Sequence, residues 1–132
     1  QVRGRLIFNE KGQCFDCHFG PDFTGDEFRN VGLYTGEQGL EDVGRFSVSG
    51  DSADLGRFKV PGLRNIALTA PYMHNGQFAT IEEVVEYYNR PDDFIPHSIN
   101  RDTLLARPLG LTVQEKADLV AFLKALTDKR YQ

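Results

Sequence analysis

A chain of 132 residues, 40% of them hydrophobic, has room for one domain with a modest core. Its net charge of −4 comes from 15 basic and 19 acidic residues, with no basic run and no aromatic-studded basic face, which excludes a nucleic-acid-binding surface. No apolar run approaches the roughly 20 residues a membrane span needs, and no signal peptide opens the sequence.

Residues 2–12 predict a helix, with Leu6, Ile7 and Phe8 on its apolar face and Gly12 as its stop. No capping residue precedes it, as if the chain were cut close to a helix start. Directly behind stands Cys14-Phe15-Asp16-Cys17-His18, a C-x-x-C-H motif. This is the attachment signal for c-type haem. Two thiols at this spacing can each add to one vinyl group of the same porphyrin. The histidine that follows then lies under the iron as an axial ligand.

Three other readings of the cysteine pair stand beside that one. A thioredoxin-like redox pair would need a strand–helix–strand setting, which is missing. Half of a zinc site would need a second Cys/His pair, and the chain has only two cysteines and three histidines. A disulfide across so short a loop would restrict the unfolded chain little. The spacing favours one covalent haem c, held through Cys14 and Cys17, with His18 on the iron. Such haem is assembled outside the cytoplasm. The expected location is therefore periplasmic, and the chain is expected to be a mature form or a fragment of something longer.

From Phe19 to Gly56 helical periodicity disappears. Gly20-Pro21-Asp22, Thr24-Gly25-Asp26, Asn30-Val31-Gly32 and Ser49-Gly50-Asp51 are turn signals. The same stretch holds Phe19, Phe23, Phe28, Leu33, Tyr34 and Phe46. A loop this aromatic is expected to wrap an apolar object, and a porphyrin is one. Residues 58–61 read as extended and 62–68 as a short helical turn. Thr69 to Gly76 is a compact turn carrying Met73 and His74.

Thr80-Ile81-Glu82-Glu83 is a capping box opening a helix to about Asn89, where Pro91 bars continuation. On it Ile81, Val84, Val85 and Tyr88 share the inward face. Residues 90–111 read as irregular, with one helical turn near 103–106. Thr112-Val113-Gln114-Glu115 is a second capping box, opening a helix from Val113 to about Leu126. Leu119, Phe122, Leu123 and Leu126 form its buried stripe, while Lys116, Asp118 and Lys124 are expected in solvent. The expected fold is mainly α and loop-rich, with N- and C-terminal helices packing over a covalent haem. That is the plan of a class I cytochrome c domain spanning residues 1–132.

The run from Gly56 through Val60-Pro61-Gly62-Leu63-Arg64-Asn65 and Tyr72-Met73-His74-Asn75-Gly76 to Val85 resembles a more specific family. So does the closing Leu119–Leu126 stretch. The resemblance is to the C-terminal haem domain of the bacterial dihaem cytochrome c peroxidases and their relative MauG, and it covers nearly the whole chain. It implies the second domain of a longer oxidoreductase, in which the N-terminal haem meets peroxide and the C-terminal haem passes electrons or helps hold oxidising equivalents. The implied partners are the N-terminal haem domain of the parent chain and a small redox-protein electron donor, with a homodimer as an admissible assembly. Taken alone, the chain is expected to transfer electrons rather than to turn over peroxide. A free-standing monohaem electron carrier is the alternative, and a non-haem Cys/His module a third reading. The chain departs from the family in having one C-x-x-C-H and no tryptophan. It also carries Phe28-Arg29-Asn30 where the family often shows Phe-His-Asn, so that histidine's role does not transfer.

Two side chains compete for the far side of the iron. Met73 is the only methionine and fits the ordinary class I pattern, or else packs in the core. Tyr88 matches the position where the peroxidases carry methionine and MauG a tyrosine, or else is a core aromatic. An open or otherwise filled site is the third outcome. A thioether favours the ferrous state, whereas a phenolate stabilises ferric and higher states. The resemblance further implies His74 beside the haem. It also implies main-chain carbonyls of Thr69 and Pro71 at a calcium ion whose other ligands lie outside this chain. Arg64 and Lys59 are candidates to neutralise haem propionates.

Overall fold

The computed structural model describes residues 1–132. Its elements in chain order are α1 (Val2–Asn9), β1 (Phe28–Arg29), α2 (Phe46–Ser49), β2 (Phe58–Lys59), α3 (Ile81–Asn89), α4 (Pro91–Phe94) and α5 (Val113–Lys124). Single 3-10 turns lie at 14–16, 52–54, 66–68, 103–105 and 129–131. The mainly α, loop-rich plan expected from the sequence is the one observed. No helix is long and apolar enough to cross a membrane.

The first and last helices cross through Gly4. A Cβ there would lie 2.0 Å from the Asp118 carbonyl oxygen and 2.7 Å from Phe122 Cβ. Only a residue without a side chain lets the two backbones approach so closely. One turn on, Phe8 is buried and meets Phe122 edge-on at 5.3 Å and Phe23 at 6.0 Å. Burying Phe8 contributes about 2 kcal/mol from apolar area alone.

The same crossing corrects two expectations. Leu6 is 55% exposed, because the buried line of α1 runs through Gly4 and Phe8 instead. Asp118 is buried, not solvated. It accepts from Arg3 Nε at 2.8 Å, Arg3 Nη2 at 3.0 Å and Gln114 Nε2 at 3.0 Å. The first helix also stops at Asn9 rather than at residue 12, and Gly12 N–H folds back onto the Ile7 carbonyl at 2.7 Å.

At the start of α5 the capping box is complete. Glu115 N–H donates to Thr112 Oγ1 at 3.2 Å, and Thr112 N–H donates to Glu115 Oε2 at 2.8 Å. At α3 half of it forms: Glu83 N–H donates to Thr80 Oγ1 at 3.1 Å, but the Glu83 carboxylate takes Ala79 N–H. Lys116–Glu86 and Lys124–Glu82 ion pairs, both 2.6 Å, join α3 to α5.

The inward face of α3 is broader than the periodicity suggests. Ile81 and Val85 are buried, Val84 and Tyr88 half-buried, and Tyr87 is sealed completely, its hydroxyl donating to the Val31 carbonyl at 2.6 Å. Pro91 does more than end that helix. It is the first residue of α4, where its missing N–H costs nothing.

The long loop has internal order that periodicity does not report. The strands β1 and β2 pair antiparallel, Phe28 opposite Lys59 and Arg29 opposite Phe58. Asn30, 1% exposed, donates from Nδ2 to the Leu55 and Ile99 carbonyls at 3.1 and 2.9 Å. Its Oδ1 accepts Gly32 N–H at 2.8 Å.

Candidate functional site

The motif forms one tight turn. Gly12 leads into it without room for a side chain, since a Cβ would lie 2.8 Å from the Ile7 carbonyl oxygen. Cys17 N–H and His18 N–H both bond to the Cys14 carbonyl, at 3.3 and 2.9 Å. Residues three and four apart on such a turn share a face, which groups the two thiols and the imidazole.

His18 is oriented by the loop behind it. Its Nδ1 lies 2.8 Å from the Phe23 carbonyl oxygen, an acceptor only, so Nδ1 carries the proton and Nε2 keeps its lone pair. Burial lowers the His18 pKa, which keeps the ring neutral. The loop is itself pinned. Gly25 N–H donates to the Cys17 carbonyl at 3.0 Å, and Thr24 Oγ1 donates to the Val60 carbonyl at 2.6 Å.

Both cysteines are free thiols, not bonded to each other. Burial pushes the Cys14 thiol up to about 12 and raises Cys17 as well, the nearby Arg29 opposing the shift at Cys17. A disulfide-exchange pair needs a stabilised thiolate, and this site disfavours one. No group of three or more His, Cys, Asp or Glu side chains gathers to hold a bare metal ion, so the zinc reading lacks its remaining ligands. Two thiols and a neutral, oriented imidazole on one turn fit a covalent porphyrin.

Tyr88 belongs to the same neighbourhood. Burial drives its phenol pKa far up, and the proximity of Tyr87, Cys14 and Cys17 adds to the shift. Tyr72 and Tyr87 give their hydroxyls to the Ile66 and Val31 carbonyls, whereas the Tyr88 hydroxyl makes no hydrogen bond within the protein and is not sealed from solvent. Its ring meets Tyr87 edge-on at 5.5 Å.

The other expected residues are placed differently. Met73 is half-buried in a left-handed backbone conformation (φ 70°), inside a turn closed by Gly76 N–H on its carbonyl at 3.2 Å. No hydrogen bond ties that turn to the motif. His74 is exposed and stacks flat on Phe58 at 3.7 Å; desolvation by the stack lowers its pKa, against Asp42. Arg64 turns toward the 21–23 loop, donating to the Pro21 carbonyl at 2.8 Å, with Asp22 at 3.5 Å. Lys59 pairs with Asp26 at 3.0 Å. Thr69 and Pro71 are exposed on either side of the cis Ala70–Pro71 bond.

Sequence reasoning missed the charge cluster beside Cys17. Arg29 bridges Glu27 at 2.7 Å and Asp102 at 2.9 Å, which raises the guanidinium's pKa; against its burial, the Leu104 N–H and then Arg29 hold the Asp102 carboxyl low. Glu27 is a local neighbour of Arg29, but the Arg29–Asp102 pair joins residues 73 positions apart, which no local pattern signals. Two surface recesses flank the motif rather than contain it. One of about 320 Å³ is lined by Lys11, Gln13, Leu104 and Leu109, and one of about 240 Å³ by Phe23, Arg64, Asn65 and Leu126. Donor chemistry defines the site.

Comparison with known proteins agrees with that chemistry. The cytochrome c family profile matches residues 1–127. A cytochrome-c peroxidase (IdrP1) of Denitromonas iodatirespirans is 35% identical over 95% of this chain, which spans 39% of that protein. The crystal structure of a MauG-like protein associated with microbial copper homeostasis superposes with a TM-score of 0.81 at 41% identity, over 97% of this chain and 46% of that one. The diheme peroxidase BthA of Burkholderia thailandensis superposes with a TM-score of 0.81 at 25% identity, over 98% of this chain and 43% of that one. The chain thus spans less than half the length of the relatives it matches.

Proposed function

Because this chain belongs to the cytochrome c family, which implies covalent haem c, we propose that it is the electron-transferring haem domain of a larger, periplasmic dihaem peroxidase or MauG-like oxidoreductase. The observation that carries the reading is the Cys14–His18 turn with its oriented, neutral His18, in a chain homologous to cytochrome c peroxidases along nearly all its length. Cys14 and Cys17 would hold one haem through thioether bonds, and His18 Nε2, its direction set by the Phe23 carbonyl, would ligate the iron. The greater length of the relatives leaves room for the partner haem domain and for the peroxide chemistry.

Tyr88 is the distal ligand in this reading. Its unpartnered hydroxyl near the motif cysteines supports it, and Met73, half-buried against the core, is the alternative. Bound haem c supplies one-electron chemistry, and an anionic oxygen ligand would bias it toward oxidised states. The chain's own part is to hold the imidazole neutral, keep water from the buried face of α3, and present the phenol. Arg64 and Lys59 are already engaged by Pro21, Asp22 and Asp26, so propionate pairing would compete with those contacts. A calcium ion at the Thr69 and Pro71 carbonyls would need its remaining oxygens from outside this chain.

The test uses the purified holoprotein. Its intact mass should exceed the sequence mass by one haem, and it should exchange electrons with small redox proteins while turning over little peroxide. Absence of the mass increment, or vigorous peroxide turnover by these 132 residues alone, would overturn the reading.

A further inference from the structure

We propose that Asn89 is a positioning residue for Tyr88: it clamps the last turn of α3 onto the Leu109–Leu111 segment and thereby holds the phenol toward the motif. The inference rests on Tyr88 being the distal ligand.

On its own α3 holds itself poorly. It has nine residues, too few for a helix to be stable on its own propensity. Its hydrogen-bond ladder must stop near Arg90, because Pro91 has no N–H to continue it. Carbonyls at such an end are orphaned unless something outside the helix serves them. Tyr88 lies in that vulnerable last turn. Its hydroxyl makes no hydrogen bond within the protein, so the backbone and the packing of its ring against Tyr87 determine where it points. Loss of one residue's worth of helical twist would swing the side chain by about 100°.

Asn89 supplies the missing grip. It is 5% exposed. Its Oδ1 accepts Leu111 N–H at 2.9 Å, and its backbone carbonyl accepts Leu109 N–H at 3.1 Å. Leu111 is itself buried at 6% exposure, so its N–H has no water to turn to if Oδ1 is removed. On the opposite side of Tyr88, the Tyr87 hydroxyl is tied to the Val31 carbonyl at 2.6 Å. The phenol is therefore flanked by two buried residues, each bonded to a different part of the fold. An asparagine at this place is otherwise unfavourable, since its side chain competes with helix backbone. Here that tendency is used to bond outward.

The experiment compares holoprotein carrying wild-type, Tyr88→Phe, Asn89→Leu and Asn89→Asp sequences. The readouts are the phenolate signature of the ferric protein by resonance Raman, the midpoint potential, and thermal stability. Asn89→Leu should lose most of the phenolate signature, and its potential should move toward that of Tyr88→Phe. Asn89→Asp keeps an acceptor oxygen for Leu111 and should retain the signature. Should Asn89→Leu fail to fold, Asn89→Ala removes the same oxygen and is read the same way. A folded Asn89→Leu or Asn89→Ala protein with lowered stability but unchanged signature and potential overturns the proposal, leaving Asn89 a structural residue. A Tyr88→Phe spectrum identical to wild type is a separate failure: it removes the ligand reading itself, and the proposal with it.

Discussion

The His18 imidazole and the Phe23 carbonyl meet at 2.8 Å, and that contact joins the candidate site to the helix crossing. Phe23 sits in the left-handed region (φ 57°), which turns its carbonyl to the motif while its ring packs against Phe8 and Phe122. One residue thus sets the histidine's tautomer and closes the gap between α1 and α5.

Truncating that ring tests the connection. Phe23→Ala removes a half-buried aromatic and should cost about 2–3 kcal/mol, measured by denaturant unfolding of the holoprotein. Phe23→Leu keeps much of the contact and should cost less than half as much. Equal losses would mean that ring packing is not what holds the loop.

Gly4→Ala probes the crossing itself. Propensity alone would make the substitution favourable by about 1 kcal/mol. The Cβ, however, would meet the Asp118 backbone oxygen at 2.0 Å, and no rotamer change can relieve a clash with main chain. Overpacking should win, with a net loss of about 2 kcal/mol. A gain in melting temperature would show that the helices are free to separate.

Acid should loosen the same crossing. The Arg3 guanidinium, ahead of Gln114, holds the Asp118 carboxyl below its ordinary value. A depressed carboxylate pKa contributes stability that is present above the unfolded value of about 3.9 and is lost as pH falls through the folded value. Unfolding followed from pH 6 down to pH 2 should therefore show Asp118→Asn with a flatter acid decline than wild type. The effect should also shrink in high salt, because Arg3 is largely exposed. Identical acid profiles would mean the pair contributes nothing.

Much of this was legible in the sequence, and the limits have a common cause. The motif, both helix starts at Thr80 and Thr112, and the α1/α5 plan are encoded in local spacing, which one chain displays openly. The burial of Asp118, the sealing of Tyr87 and the Arg29–Asp102 pair depend on residues that meet only after folding. Gly4 drew no notice in the sequence and is the contact that lets α5 approach. Of the candidate site, the sequence pointed to Cys14, Cys17 and His18 by the spacing of the motif, and to Tyr88 with Met73 as the alternative by resemblance. The Phe23 carbonyl that orients His18 was invisible, because any residue carries a carbonyl and only a left-handed backbone aims this one.

Distal ligation is the most direct test, because it decides what the haem is suited to do. The measurement is the ferric spectrum, in resonance Raman and the far-red absorption region, of wild-type, Tyr88→Phe and Met73→Ala holoprotein. Wild type should show a phenolate signature that survives Met73→Ala and disappears in Tyr88→Phe. A far-red thioether-to-iron band in wild type that is lost in Met73→Ala and kept in Tyr88→Phe would contradict Tyr88 ligation.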